Sequence, residues 1–413
     1  MSTTILRADR LLDGTGAPAM PDANLVLESG KVVDAFSGPV PEALLSAGAQ
    51  VREMPGCTIL PGLIDAHVHL NFPADGTSLE ETMTEHEGVL VATSAFTASQ
   101  ALRAGITTVR DTGSVQGSVF DLRRALDLGY GTGPRILACG QPITITGGHT
   151  WYLGGEADGV DGLRKKVRSM VKLGADAIKV MASGGGTLGT MSWLPSFRAE
   201  ELAALVDEAH RLGRKITAHC LCAEAISMAV DAGFDQLEHA SFIVDPAANQ
   251  VFDPRVADKV AAAGVAVTTT LAVSGFAVST MVAKDNRTPA EEAFLDQWRR
   301  MRDANVAQFD QMRQAGVRFV AGTDAGWRFT RFDGLTEELE LMQQGGMSAL
   351  DAISAATGTS AAVLGIEDSA GTLRSGRPAD VLVVGGDPVQ DLSALHDVRL
   401  VLQGGLDRTS PRP

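Results

Sequence analysis

Five of the eight histidines in this 413-residue chain stand in short apolar phrases: His67 and His69 in LIDAHVHL, His149 in GGHT, His219 in KITAHC and His239 in LEHAS. On a strand, residues two apart project to the same face, so His67 and His69 point the same way. Such a pair is either half of a divalent-metal site or a hydrogen-bonded core pair. His219, His239 and Asp324, in GTDAG, shift the balance to metal, because nitrogen and oxygen donors are what Zn²⁺, Mn²⁺ or Fe²⁺ require. Lys179, in AIKVMAS, is flanked by apolar residues. Burial and nearby dications would lower its pKa, and a neutral amine can take up CO₂ to become a carbamate that bridges two metals. The competing role is an ion pair with Asp111 or Asp176 at the rim.

These residues need a scaffold that brings distant positions together. From about residue 59, eight short apolar runs alternate with segments of helical period: TILPGLIDAHVHL, GITTVRDTG, PRILACGQP, ADAIKVMASGGG, KITAHC, FDQLEHAS, GVAVTTTL and RFVAGTDAG. Between them, Phe197 to Leu212 places Leu202, Leu205, Val206 and Ala209 on one helical face and Glu200, Glu201, Asp207 and Glu208 on the wet side. Six of the helices end in a glycine suited to a left-handed cap, at Gly105, Gly174, Gly213, Gly233, Gly264 and Gly316. Eight strand–helix units in about 300 residues predict an α/β fold of the (β/α)8 TIM-type barrel class, and no glycine-rich dinucleotide fingerprint follows the first strand. The candidate residues then fall at the C-terminal strand ends, where barrels of this kind carry their chemistry. Residues 1–58 and 371–413 read as short strands and turns and are expected to pair into one small β-sandwich domain, with the barrel at 59–370.

Composition narrows the partners. Fifty acidic against 35 basic side chains give a net charge of −15, which repels phosphate backbones and argues against nucleic acid. Met1 to Arg10 has no signal-peptide apolar core, and no apolar stretch approaches the ~20 residues that cross a bilayer, which places the protein in the cytoplasm with no membrane partner. Cys57, Cys139, Cys220 and Cys222 read as free thiols rather than a disulfide framework. A small-molecule substrate is the expected partner, with a homo-oligomer left open.

The set PGLIDAHVHL, Lys179, His219, LEHAS and GTDAG resembles the amidohydrolase superfamily over essentially the whole chain, including the PADVLVVGGDP tail. GGHT, ASGGG and the LPGLIDAHVH opening are similar to its imidazolonepropionase-like branch, which includes Xaa-Pro dipeptidases and related metallo-carboxypeptidases. The resemblance implies two divalent metal ions, zinc for preference. His67, His69 and Asp324 would hold the buried ion and His219 and His239 the outer one, with carboxylated Lys179 joining them. The expected reaction is hydrolysis of a C–N amide bond, in a dipeptide-like or N-acyl amino acid substrate, by a metal-bridging hydroxide. Asp324 would serve as proton shuttle.

His149 is expected to bond the oxyanion or the substrate, against the alternative of a loop histidine. Tyr152, Arg328 and Arg331 are candidates for a substrate carboxylate, and Trp151, Trp193 and Trp327 for an apolar group. Gly184, Gly185 and Gly186 lack the GKS/T ending of a phosphate loop and are expected to form a mobile loop over the mouth. Cys220 is expected to be buried packing. The same two-metal chemistry would also suit an ester, lactone, cyclic amide or phosphotriester. A deaminase fits less well, since Cys222 occupies the position of its glutamate, and a non-catalytic scaffold would lack ligands that are all present.

Overall fold

A computed structural model of the chain describes residues 3–77 and 79–409. Residues 1–2 and 410–413, which belong to the two terminal segments assigned to the small domain, lie outside the described residues, as does Ser78. Four strands come first: β1 (Thr3–Leu11), β2 (Met20–Glu28), β3 (Lys31–Ser37) and β4 (Gln50–Pro61). Eight short strands follow: β5 (Leu63–Val68), β6 (Ile106–Asp111), β7 (Arg135–Ala138), β8 (Ala177–Met181), β9 (Lys215–Cys220), β10 (Gln236–His239), β11 (Ala266–Thr268) and β12 (Arg318–Phe319). The last are β13 (Val381–Gly385), β14 (Val398–Gln403) and β15 (Leu406–Asp407).

The eight central strands form two parallel sheets, in the orders β5-β6-β7 and β12-β11-β10-β9-β8. Backbone bonds join them at both edges. Ile143 donates to Lys179 at 2.8 Å and Met181 to Ile143 at 2.9 Å, while Ala66 donates to Ala321 at 3.0 Å, Asp324 to His67 at 2.8 Å and His69 to Ala325 at 2.7 Å. Strands such as β8, buried along their whole length, need cover on both faces, which explains why they are mostly apolar. That cover includes the helices Gly159–Leu173, Ala199–Arg211 and Ala223–Ala232, together with terminal-sheet residues that enter the same core. The result is an α/β fold. All six expected capping glycines have positive φ, from 66° at Gly213 to 100° at Gly174, so each helix turns directly into the next strand.

Two expectations change. The run TILPGLIDAHVHL is not one strand: it breaks at Gly62, where a Cβ would lie 2.2 Å from Thr107 Oγ1. Leu60 on β4 pairs with Leu382 of β13, whereas Leu63 on β5 pairs with Ile106 of β6. The terminal segments form one continuous seven-stranded sheet, β15-β14-β13-β4-β1-β2-β3, rather than the two separate sheets of a sandwich. One face collects Leu6, Leu25, Ile59, Val381 and Leu400 into its own core, and Leu60, Leu382, Val384 and Val401 join the main one.

Candidate metal centre

Strand ends aim the candidate residues at a common space. His67, His69, His149, Lys179, His219, His239 and Asp324 all line one cavity of about 300 Å³. Ring centroids run in file, His69 to His67 at 5.3 Å, His67 to His239 at 5.1 Å, His239 to His219 at 4.6 Å and His219 to His149 at 4.6 Å. The backbone is forced to present them: His239 (φ 69°), Thr270 (φ 52°) and Asp324 (φ 61°) adopt the left-handed region, a strain that tends to be retained where a site requires it.

His67, His69 and Asp324 form the tightest group, with ligand atoms within 4.8 Å of one another. Asp324 Oδ1 lies 3.1 Å from His69 Nε2 and 3.4 Å from His67 Nε2, yet it is buried and makes no hydrogen bond. An orphaned buried oxygen facing two imidazole nitrogens is the arrangement a cation would satisfy. The remaining nitrogens are tied down. His67 Nδ1 donates to Glu238 Oε2 at 2.9 Å and His69 Nδ1 to the Gly113 carbonyl at 2.9 Å. Such bonds fix the tautomer that leaves Nε2 free to coordinate. His239 Nδ1 meets Thr270 Oγ1 at 2.8 Å, which gives the threonines after β11 a task. His219 is reversed, its Nε2 on the Gly184 carbonyl at 3.2 Å, which leaves Nδ1 for a ligand. His219 and His239 stand outside the tight group of three. The donors thus fit a divalent ion in the buried half, with two further imidazoles and Lys179 beside it.

Lys179 is 1% exposed, and burial lowers its pKa. Neither expected rim partner reaches it. Asp111 accepts the backbone N–H groups of Leu70 at 2.8 Å and Gly113 at 3.2 Å, which clamps the turn beside His69. Asp176 pairs with Arg123. Burial also drives His67 down to about 4 and His149 to about 3, with Lys179 adding to both. It carries His219 and His239 well below the usual imidazole value as well. His69 alone is raised, since the Asp324 carboxylate outweighs burial. Burial works against the Asp324 carboxylate, but the imidazoles of His67 and His69 hold it well below the usual range. Neutral His67, His219 and His239 rings and an ionised Asp324 carboxylate are what metal ligation needs, and a bound ion would take the place of a proton on His69.

The sequence reading did not single out Glu238. It is fully buried and stays ionised because Arg110 and His67 outweigh its desolvation. Arg110 Nη2 donates to Glu238 Oε1 at 2.7 Å, Nη1 to Gln236 at 2.9 Å and Nε to the Ala66 carbonyl at 2.7 Å. A charged residue interrupting an apolar strand, in TTVRD and in QLEH, was the available signal. Asp65 likewise bonds the Thr323 hydroxyl at 2.6 Å, the Thr323 N–H at 3.0 Å and the His67 N–H at 3.1 Å, holding the strands of His67 and Asp324 in register.

Around the rim the expectations divide. His149 lines the cavity, with Nδ1 2.8 Å from Thr187 Oγ1, and Gly185 has no Cβ because one would fall 2.4 Å from His149 Nε2. Arg328 and Trp327 also line it, as do Gly185 and Gly186. Tyr152 is not on the lining but packs against Phe72 and Leu153, which are, and its hydroxyl bonds Thr187, the partner of His149. Arg331 turns to Asp333. Trp151 and Trp193 are not on the lining, and Trp298, unnoticed in the sequence, is. All four cysteines are buried and unpaired. No helix among the described residues is long and apolar enough to cross a membrane.

The model of the amidohydrolase family matches residues 58–405. The chain belongs to the amidohydrolase family. A protein named ochratoxinase from Aspergillus niger is 28% identical over 96% of this chain and 84% of its own length. The solved structure of A. niger ochratoxinase aligns with a TM-score of 0.83 at 25% identity, over 99% of this chain and 96% of that one. An Xaa-Pro dipeptidase with methionine bound in its active site aligns at 0.85 and 27% identity, over 98% and 99% of the two chains. A prolidase complexed with N-methylphosphonate-L-proline gives 0.82 and 26% over the same shares. As an amidohydrolase the chain is a hydrolase acting on C–N bonds, in a family that generally binds divalent metals.

Proposed function

We propose that this amidohydrolase cleaves the amide bond of a dipeptide-like or N-acyl amino acid substrate, and that its two central sheets act as one (β/α)8 barrel, residues 59–370, beside a small domain from 1–58 and 371–413. The observation that carries the reading is the orphaned Asp324 Oδ1 facing Nε2 of both His67 and His69 on the floor of the cavity. His67, His69 and Asp324 would hold one divalent ion and His219 and His239 a second, zinc for preference, with Lys179 as a CO₂-derived carbamate between them. When bound, the ions supply an activated water and polarise the scissile carbonyl. Asp324, kept ionised, accepts a proton as water adds to the carbonyl carbon, then returns it to the leaving nitrogen as the C–N bond breaks. Glu238 holds His67 in the required tautomer. Thr187 Oγ1 accepts the Thr150 N–H at 2.9 Å and stands 2.8 Å from His149 Nδ1, to which it would donate its hydroxyl proton in the reacting tautomer. That leaves the proton of His149 on Nε2, where it can be donated to the developing oxyanion. Arg328 at the rim is suited to a substrate carboxylate.

The test is metal analysis of the purified protein combined with a screen of dipeptides, N-acyl amino acids, lactones and phosphotriesters. Two ions per chain and metal-dependent amide hydrolysis are expected. Turnover confined to lactones or phosphotriesters would transfer the site to the other chemistry.

A further inference from the structure

Thr269, Thr270, Val273 and Ser274 all line the cavity, and all come from one short stretch, the turn after β11 and the first turn of the helix Ala272–Val282. That helix begins inside the protein on Leu271, whose side chain cannot bond its first N–H groups. Glu338 supplies the missing acceptor from a different helix, Leu335–Gln344. Its Oε2 accepts the Ala272 N–H at 2.7 Å, the Leu271 N–H bonds the same carboxyl, and Thr269 Oγ1 lies 3.2 Å from Oε1. Glu338 is fully buried and does not itself line the cavity. Between the points it holds stands Thr270, on left-handed backbone (φ 52°), with Oγ1 2.8 Å from His239 Nδ1. Ligation through His239 Nε2 needs the proton on Nδ1 and the ring in one orientation, and the Thr270 hydroxyl serves both needs.

We propose that Glu338 is a positioning residue of the metal centre: it fixes the turn 269–271 and, through the Thr270 hydroxyl, aims His239 at the outer ion. This rests on the two-ion reading of the site. Burial, with Asp65 adding to it, pushes Glu338 up to about 8, so at neutral pH the carboxyl is mostly protonated and glutamine is its close mimic.

Calorimetric titration of the metal-free protein with zinc reads the site without turnover, and the binding step that His219→Ala removes identifies the outer ion. Glu338→Ala should weaken that step by roughly 10-fold or more and leave the inner ion's step unchanged, whereas Glu338→Gln should bind both ions as the parent does. Thr270→Ala should cause the same selective loss, and combining it with Glu338→Ala should add nothing, because both act on one path. A lower melting temperature with both steps intact, equal weakening of both ions, or losses that add in the double variant overturns the proposal. Should Glu338→Ala fail to fold, Glu338→Asp, one methylene shorter, is held to the same outcomes. If the parent takes up one ion or none, the two-ion reading is what fails, and Glu338 is judged instead by NMR of nitrogen-labelled histidines in the metal-free protein. Loss of the His239 Nδ1–H tautomer in Glu338→Ala but not in Glu338→Gln sustains the positioning role, and an unchanged His239 signal refutes it.

Discussion

His67, on a strand, is held by a 2.9 Å bond to a buried carboxylate, whereas Trp298, on a helix reaching over the mouth, is held by rings 5.6 and 6.1 Å away. The same contrast runs through the whole cavity. Each imidazole on the floor, including His149, has one nitrogen committed to an acceptor or a hydroxyl, and His239 and Asp324 sit on left-handed backbone. The outer wall is assembled from ring contacts and side chains of loops and of the helices Ala272–Val282 and Pro289–Gln314. Directional bonds fix positions to tenths of an ångström, while apolar packing tolerates substitution of similar volume. A floor of the first kind suits one reaction, and a wall of the second kind lets the substrate differ.

Substitutions on the floor should be far more damaging than those on the wall. Asp324→Asn removes the proton acceptor and one candidate ligand, and a loss in kcat of ~10²- to 10⁴-fold is expected, with the thermal melt showing that the protein still folds. A variant with near-normal kcat would dissolve the distinction. Lys179→Ala should cost more than the ~100-fold typical of outer partners of metal ligands, with partial recovery on adding short carboxylic acids. An unaffected Lys179→Ala enzyme would remove the carbamate from the reaction.

Glu238→Gln tests whether the floor depends on its supports. Loss of roughly 10- to 100-fold in metal affinity is expected, measured by competition with a chelator, while Arg110→Met leaves Glu238 unpaired and should cost about 3–5 kcal/mol of stability. On the wall, Met301→Ala should raise KM by no more than roughly 10-fold and leave kcat unchanged.

The smallest effect belongs outside both regions. Glu208, buried on the helix Ala199–Arg211, is pulled from 4.5 down to about 2 by Arg168 and Arg211, with Arg164 adding to them. A depressed carboxylate stabilises fully above its unfolded pKa and loses that contribution as pH falls through the folded one. Glu208→Gln should therefore melt lower than the parent above pH 4.5, and the gap should close by about pH 2, with activity at neutral pH unchanged.

Much of the floor was legible because strands repeat every two residues and end at recognisable punctuation, so His67, His69, Lys179, His219, His239 and Asp324 could be assigned to strand ends from local pattern. The six glycine caps were legible for the same reason, since a left-handed turn demands a residue without a Cβ. Glu238 was hidden by its neighbour His239, and its partner Arg110 lies 128 residues away. The placing of Tyr152 and Arg331 was not legible, because a loop's course depends on what it packs against: Tyr152 joins Phe72 and Leu153 with its hydroxyl toward Thr187, and Arg331 turns to Asp333. The terminal sheet was foreseen as a pairing of the two ends but not as one ladder, because its order depends on β4 lying between β1 and β13.

Taken alone, the order of residue types determined which donors exist and that alternating strands and helices would carry them, because periodicity and capping act over a few residues. Tertiary structure decided which nitrogen of each imidazole is free, which buried charges support it, and that Trp298 rather than Trp151 or Trp193 lines the cavity. Those outcomes depend on burial and on contacts between segments far apart in the chain, where desolvation makes every unpaired polar group costly and so selects one arrangement.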